Sequence, residues 1–239
     1  MPKRKRLPPN ANGPTNSAPR SDGTRLDTYL AYRGRLDEWR AELLPRISPS
    51  DVGFLLYDMK LAKKPSAAAS ALAALTEEDH RRIEDYLLFG RRGWIATPMA
   101  WRAMTTLARD DVDRALGQAI RQLRCALMEV RSLDGRGGIE ARDLLRGEDV
   151  SLFEPPVARA LQVGVIFSAQ LLPFDEFTIT TGAPMVVGRQ GSPSMKLILM
   201  HVRDLLGLGD EERPLTKRES RKLAFVMLWT ILVLRKSLS

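Results

Sequence analysis

The period of the apolar residues changes twice along this chain, and those two changes constrain the fold more than any single motif. Up to about residue 124, apolar side chains recur every three or four positions, the spacing of a helix face. From there to about residue 188 they recur at every second position between clusters of turn residues, the pattern of short antiparallel strands. After "GRQGSPS" the helical period returns. This reads as an α+β protein in four segments: a basic tail over 1–25, a helical bundle over 26–124, a small antiparallel β-barrel-like unit over 125–188, and two carboxy-terminal helices over 189–239.

Local signals set the expected element ends. Leu26, Leu30, Leu36, Trp39 and Leu43 make a helical stripe that Pro45 stops. Ser50 is the expected N-cap of a second helix that runs toward Pro65. In "TEEDHRRIEDYLLFG", Thr76 and Asp79 have capping-box spacing, acids fill the first turn, and Gly90 follows the last apolar residue. Two further helices are expected, around Pro98 to Ala108 and from Asp111 to about Arg124, the latter with Val112, Leu116, Ile120 and Leu123 on one face. The strands are expected in "CALMEVRSL", "IEARDLL", "DVSLFE", "VGVIFSAQLLPF", "FTITT" and "APMVVG", with a tight turn around Gly147 and with Pro155 and Pro156 ending the third. Ser192 and Pro193 open a helix, and Thr216 opens the last one.

The stretches "GGIEARDLLRGEDVSLFE", "ARALQVGVIFSAQLLP" and "TGAPMVVG" resemble a module of uncharacterised bacterial proteins, some of which also carry a SecA-type carboxy-terminal zinc motif. The resemblance covers about residues 130–188, a quarter of the chain. One cysteine cannot build that zinc motif, and the resemblance implies a fold and no activity.

Charge placement bears on partners. The net charge is +8, yet residues 1–25 carry six basic side chains and one acidic, and residues 211–239 carry seven basic and three acidic. Basicity therefore belongs to the two ends, and the middle is close to neutral. The barrel region 131–188 has five basic and eight acidic side chains, where a phosphate-tracking surface needs a basic stripe. Five of fifteen prolines lie in the first two dozen residues, which reads as a disordered tail. "PKRKR" there is either a nuclear localisation signal or a generic anion-binding tail, and the Ala/Arg/Leu-rich body has a bacterial look.

The single Cys125 excludes an intramolecular disulfide and fits a reducing cytoplasm; no apolar stretch follows the basic amino terminus, so a secretory signal is not expected. "LAFVMLWTILVL", Leu223 to Leu234, has twelve residues against the roughly 20 that a membrane-spanning helix needs. It reads as a helix buried on most sides, within the chain or in an interface, and a membrane role is not expected.

No catalytic constellation emerges. His80 and Glu84 stand one helical turn apart but lack a third metal ligand. His201 lies on a mostly apolar helix and reads as a buried or boundary histidine. "GRQGSPSMK" lacks P-loop spacing, and "GRGG" at 135–138 is a hairpin turn before it is a phosphate loop. Asp143, Glu148 and Asp175 are turn carboxylates, which are usually just solvated. The expectation is a non-catalytic bacterial cytoplasmic binding or assembly protein, with no cofactor and no metal site, whose basic ends contact an anionic partner such as RNA, DNA or a large complex. The contact residues are Lys3, Arg4, Lys5 and Arg6 at one end and Lys217, Arg218, Arg221 and Lys222 at the other. The alternative is a protein–protein adaptor or oligomeric scaffold that docks through a barrel edge or the last helix. Under either reading, the hairpin "GIEARDLLRGEDVSLFE" is structural or a protein-binding edge rather than a nucleic-acid platform.

Overall fold

The computed structural model describes residues 22–90, 99–100, 108–182, 184–209 and 215–238. The tail over 1–21, and most of the helix expected around Pro98 to Ala108, lie outside the described residues.

The helical half consists of α1 (Asp22–Leu43), α2 (Pro49–Asp58), the short α3 (Ala68–Ala73), α4 (Glu77–Phe89) and α5 (Asp111–Arg121). Helix α1 starts inside the segment read as tail, and its buried stripe is Tyr29, Leu36, Trp39 and Leu43. Leu26 and Leu30 are exposed. Tyr29 sets this rotation, because its ring meets Phe153 edge-on at 5.6 Å while its hydroxyl finds a buried acceptor. Helix α2 is capped by Ser48, not Ser50: Pro49 fits the first helical position, and Asp51 completes a reciprocal capping box with Ser48. The helix ends at Asp58, well before Pro65. Thr76 and Asp79 cap α4 as expected. Gly90 follows it at φ −70°, outside the left-handed region, so the αL cap expected of a terminal glycine is not what it provides. Asp110 caps α5, which stops at Arg121.

Six strands follow: β1 (Arg124–Leu133), β2 (Gly138–Asp143), β3 (Glu148–Phe153), β4 (Val165–Pro173), β5 (Thr178–Thr180) and β6 (Met185–Arg189). Their order is β1-β2-β3-β5-β4, and β4 closes back onto β1, while β6 pairs outside β4. All pairs are antiparallel except β3 with β5. The result is a closed five-stranded barrel of Greek-key type with one extra strand. Strand β1 serves two partners: Arg124 to Glu129 pair with β4, and Met128 to Leu133 pair with β2, with an irregularity in the latter pairing between Val130 and Ser132. The prolines after β3 do more than end it. They start a short helix, α6 (Pro155–Ala160), because proline suits the first helical turn. The second strand ends at Asp143 rather than running through "DLL", and the turn occupies Leu144 to Gly147.

The barrel interior holds Met128, Val130, Ile139, Leu152, Phe167 and Leu171. The outer faces of β1 and β4 are covered by α7 (Pro193–Leu206) and α8 (Lys217–Leu238), which place Met195, Val202, Leu223 and Met227 against Cys125, Leu127 and Ile166. Burial on both faces explains why β4 reads as an almost continuous apolar run. Further along α8, Leu228 and Leu232 join Leu55 and Leu56 of α2, Met59 at its C-cap and Ile83 of α4, and Trp229 donates its indole N–H to the Met59 carbonyl at 3.1 Å. The apolar face of the last helix is thus buried within the chain. No helix among the described residues is long and apolar enough to cross a membrane.

Candidate functional site

Two buried carboxylates join the helical half to the barrel. Glu154, at the end of β3, accepts from the Tyr29 hydroxyl at 2.6 Å, from Arg33 Nη2 at 2.7 and 2.8 Å, and from the Thr180 amide and hydroxyl at 2.8 and 3.0 Å. Asp85 of α4 accepts from Arg40 at 2.6 Å, from the Thr181 hydroxyl at 2.6 Å and from the Gln170 amide at 3.2 Å. Arg33 and Arg40 stand seven residues apart on α1, so they share a face, and they also donate to the adjacent carbonyls of Thr180 and Thr181 at 2.9 and 2.7 Å. Gly182 follows at φ +118°, and a Cβ there would lie 3.1 Å from Arg33 Nη1. A side chain at that position would be strained and would crowd the arginine.

This seam also covers Phe153 and Phe174 at one end of the barrel. Tyr32 stacks on Phe174 at 4.1 Å, Tyr29 meets Phe153, and Arg25 lies 4.6 Å over the Phe153 ring. In oligonucleotide-binding barrels of this general kind the ligand uses the β2–β3 face and the loops after β1 and β4. Here Phe174, in the β4–β5 loop, and Phe153, at the end of β3, already have partners from α1. Helix α1 is itself core, with Leu36 and Leu43 fully buried, so it does not behave as a removable cover.

The phenol of Tyr29 is pushed up to about 12, first by burial and then by its hydrogen bond to Glu154. An unfolded tyrosine ionises near pH 10. The folded state therefore holds this proton more tightly, and the resulting stability is full below about pH 10 and lost as the pH rises toward about 12. Comparing unfolding free energies of the wild type and Tyr29→Phe from about pH 8 to about pH 11 should show their difference shrinking above about pH 10. A constant difference would mean that Tyr29 titrates as a free phenol.

The residues singled out from sequence do not converge on a reactive centre. Asp143 is fully buried and bonded to Arg146 at 2.6 Å, Glu148 is exposed and paired with Arg124 at 2.6 Å, and Asp175 is exposed in the β4–β5 turn. His80 bonds to the Leu72 carbonyl at 2.9 Å. His201, expected to be buried or at a boundary, is exposed on α7, with its ring 5.6 Å from that of Trp229. It lies outside the buried stripe of Met195, Val202 and Leu206. Burial pushes the Cys125 thiol up to about 12, only partly offset by Ser168, which makes it a poor nucleophile. The "GRGG" turn uses its own amides: Arg136 and Gly138 N–H donate to Asp134 at 2.7 Å each. Burial raises the Asp134 carboxyl, but these bonds outweigh it and hold the group below its ordinary range. At the start of α7 the Met195 amide is taken by Ser192 at 3.2 Å. Among the described residues no three His, Cys, Asp or Glu side chains gather in a way that could hold a metal ion.

The cationic cluster of the carboxy-terminal end falls on the first two turns of α8, where Arg218 and Lys222 are exposed and one turn apart. Lys217 and Arg221 belong to the same turns, while Lys3, Arg4, Lys5 and Arg6 lie outside the described residues. Beside these turns is a cleft of about 500 Å³ between the ends of α4 and α5, the start of β1 and α8. Its wall includes Arg121, Gln122, Arg124, Gln170 and Ser220, and among the described residues no carboxylate. The sequence reading missed both this cleft and the Glu154–Asp85 seam. The one available signal for the seam was the arginine pair at seven-residue spacing on α1, in register with Tyr29, Leu36 and Leu43. No protein-family model, no curated protein and no solved structure matches the chain.

Proposed function

We propose that this is a non-catalytic binding or assembly protein of the bacterial cytoplasm that holds a polyanionic partner, nucleic acid in the first instance, at its cationic ends. On the folded body the contacts are Arg121 and Arg124 in the wall of the cleft beside α8, and the exposed Arg218 and Lys222 on the adjoining first turns of α8, outside the cleft wall, with Lys217 and Arg221 on the same turns. The observation that carries the reading is this cleft. Among the described residues its wall combines two arginines with neutral hydrogen-bonding groups and no carboxylate, in a body that is otherwise close to neutral. Arg124 is held by Glu148 in a partly exposed pair, which a phosphate can replace at little cost. A second reading, a protein adaptor, is favoured by β6. That strand pairs only with β4 among the described residues, and Val186 on it is exposed. The buried face of α8 turns that reading away from the last helix and toward this edge.

The test is fluorescence anisotropy of labelled RNA and labelled duplex DNA over a salt series. It compares the full chain, a chain lacking residues 1–21, and full-length Arg218→Ala/Lys222→Ala. If both ends make phosphate contacts, each change weakens binding, and the double substitution lowers the slope of log K against log salt by about 2. No binding by the full chain at moderate salt would overturn the proposal and leave the β6 edge as the surface to pursue.

A further inference from the structure

Helix α7 presents two apolar faces, and the chain covers one of them. Met195, Val202 and Leu206 pack toward the barrel, and the His201 ring lies beside Trp229 of α8. On the side turned away from the barrel, the ridges Lys196–Met200–Asp204 and Leu197–His201–Leu205 are exposed at every position, with Leu197 64% and Met200 52% accessible. Among the described residues neither Lys196 nor Asp204 has an ion-pair partner. Lys196 also ends the first turn and Asp204 lies in the last turn, each the wrong sign for the helix dipole at its end. No contact among the described residues offsets that placement.

We infer that this face is a homodimer interface, on which a second copy of the chain lays its own α7 antiparallel. Met200 stands next to the middle of Pro193–Leu206, and Lys196 and Asp204 lie four residues, about 6 Å, to either side of it. A two-fold axis at Met200 brings Lys196 of each copy to the level of Asp204 of the other, with Leu197 and Met200 of both copies between the two ion pairs. The pattern is self-complementary, as an isologous contact requires. In the antiparallel pair each Lys196 lies beside the carboxy-terminal end of the other helix and each Asp204 beside its amino-terminal end, where those signs are favoured. A parallel copy would set lysine against lysine and aspartate against aspartate, so the charges select the orientation too. Their symmetry about Met200 is what favours a second copy over an unrelated helix. A contact between two helices of this length is small, which places the dimer in the weak class, with a dissociation constant of about 10–100 µM. The inference is independent of whether the cationic ends hold nucleic acid.

The experiment is analytical ultracentrifugation of the full chain from about 1 to about 300 µM at low salt, where charge pairs are least screened. The wild type is expected to pass from monomer to dimer across this range. Lys196→Glu and Asp204→Lys each turn both ion pairs repulsive, and each should raise the dissociation constant about tenfold or more. Both positions are exposed and both substitutions suit the helix dipole, so the circular dichroism spectrum should not change. In an equimolar mixture of the two variants opposite charges meet again at both positions, and the mixture should sediment as a heterodimer. The inference is overturned by a wild type that stays monomeric throughout, by a dimer that either single variant leaves intact, or by a mixture that does not regain association.

Discussion

Glu154→Leu is expected to lower the unfolding free energy by about 3–5 kcal/mol, the loss typical when one member of a buried ion pair is removed. The reason lies in what stays behind. The leucine leaves the Tyr29 hydroxyl, both donors of Thr180 and most of the Arg33 charge without their acceptor, in a place where water cannot easily replace it. The Arg33 side chain is only 16% exposed and that of Glu154 only 3%, so little of the interaction is screened by solvent. Urea unfolding of the two proteins measures the difference, and an unchanged m-value would show that the compactness of the end states is preserved. The double variant Arg33→Met/Glu154→Leu should recover a substantial part of the loss, because it removes the stranded charge as well. A loss below about 1 kcal/mol for Glu154→Leu would place the seam with ordinary surface ion pairs and remove it as the joint between bundle and barrel.

The division between what could and could not be read from the chain follows the range of the forces involved. Thr76 with Asp79, and Ser192 with Pro193, were legible because a cap and its partner are three residues apart or fewer. The strands of the barrel were legible through their period of two. The same local logic failed at Ser48, where two serines flank a proline and the choice rests on Asp51 reaching back to the cap. It failed again at α6, since a proline pair that ends a strand can equally open a helix. The rotation of α1 was not legible, because Tyr29 wins over Leu26 and Leu30 through Phe153 and Glu154, the latter 125 residues away. For the candidate site, the cationic turns of α8 were visible as a charge count. The cleft beside them needs the ends of α4 and α5, the start of β1 and α8 in one place, and no local pattern encodes that.

Asp143→Ala is the complementary prediction, and it decides the role of the hairpin "GIEARDLLRGEDVSLFE". Asp143 sits in register opposite Glu148 at the base of the β2–β3 turn, yet the two carboxylates have opposite fates. Glu148 is exposed with a partly exposed partner, so Glu148→Ala should change stability by no more than about 1 kcal/mol. Asp143 is fully buried and accepts from the amides of Leu145 and Arg146 at 3.1 and 3.3 Å and from the Arg146 guanidinium at 2.6 Å. Arg146 in turn donates to the Cys125 carbonyl and to the Ser220 hydroxyl, both at 3.1 Å, so the turn is tied to β1 and to the first turns of α8. Removing the carboxylate strands a buried guanidinium, with an expected loss of about 3–5 kcal/mol in urea unfolding. Hydrogen exchange should show the amides of Leu145 and Arg146 losing protection first, because their acceptor is gone. A hairpin that served chiefly as a working surface would behave in the opposite way: Asp143→Ala would leave stability nearly unchanged and impair partner binding. A large loss of stability, together with normal anisotropy titrations under conditions where the variant is still folded, would show that the hairpin is the buckle that fastens α8, and with it the cationic turns, to the barrel.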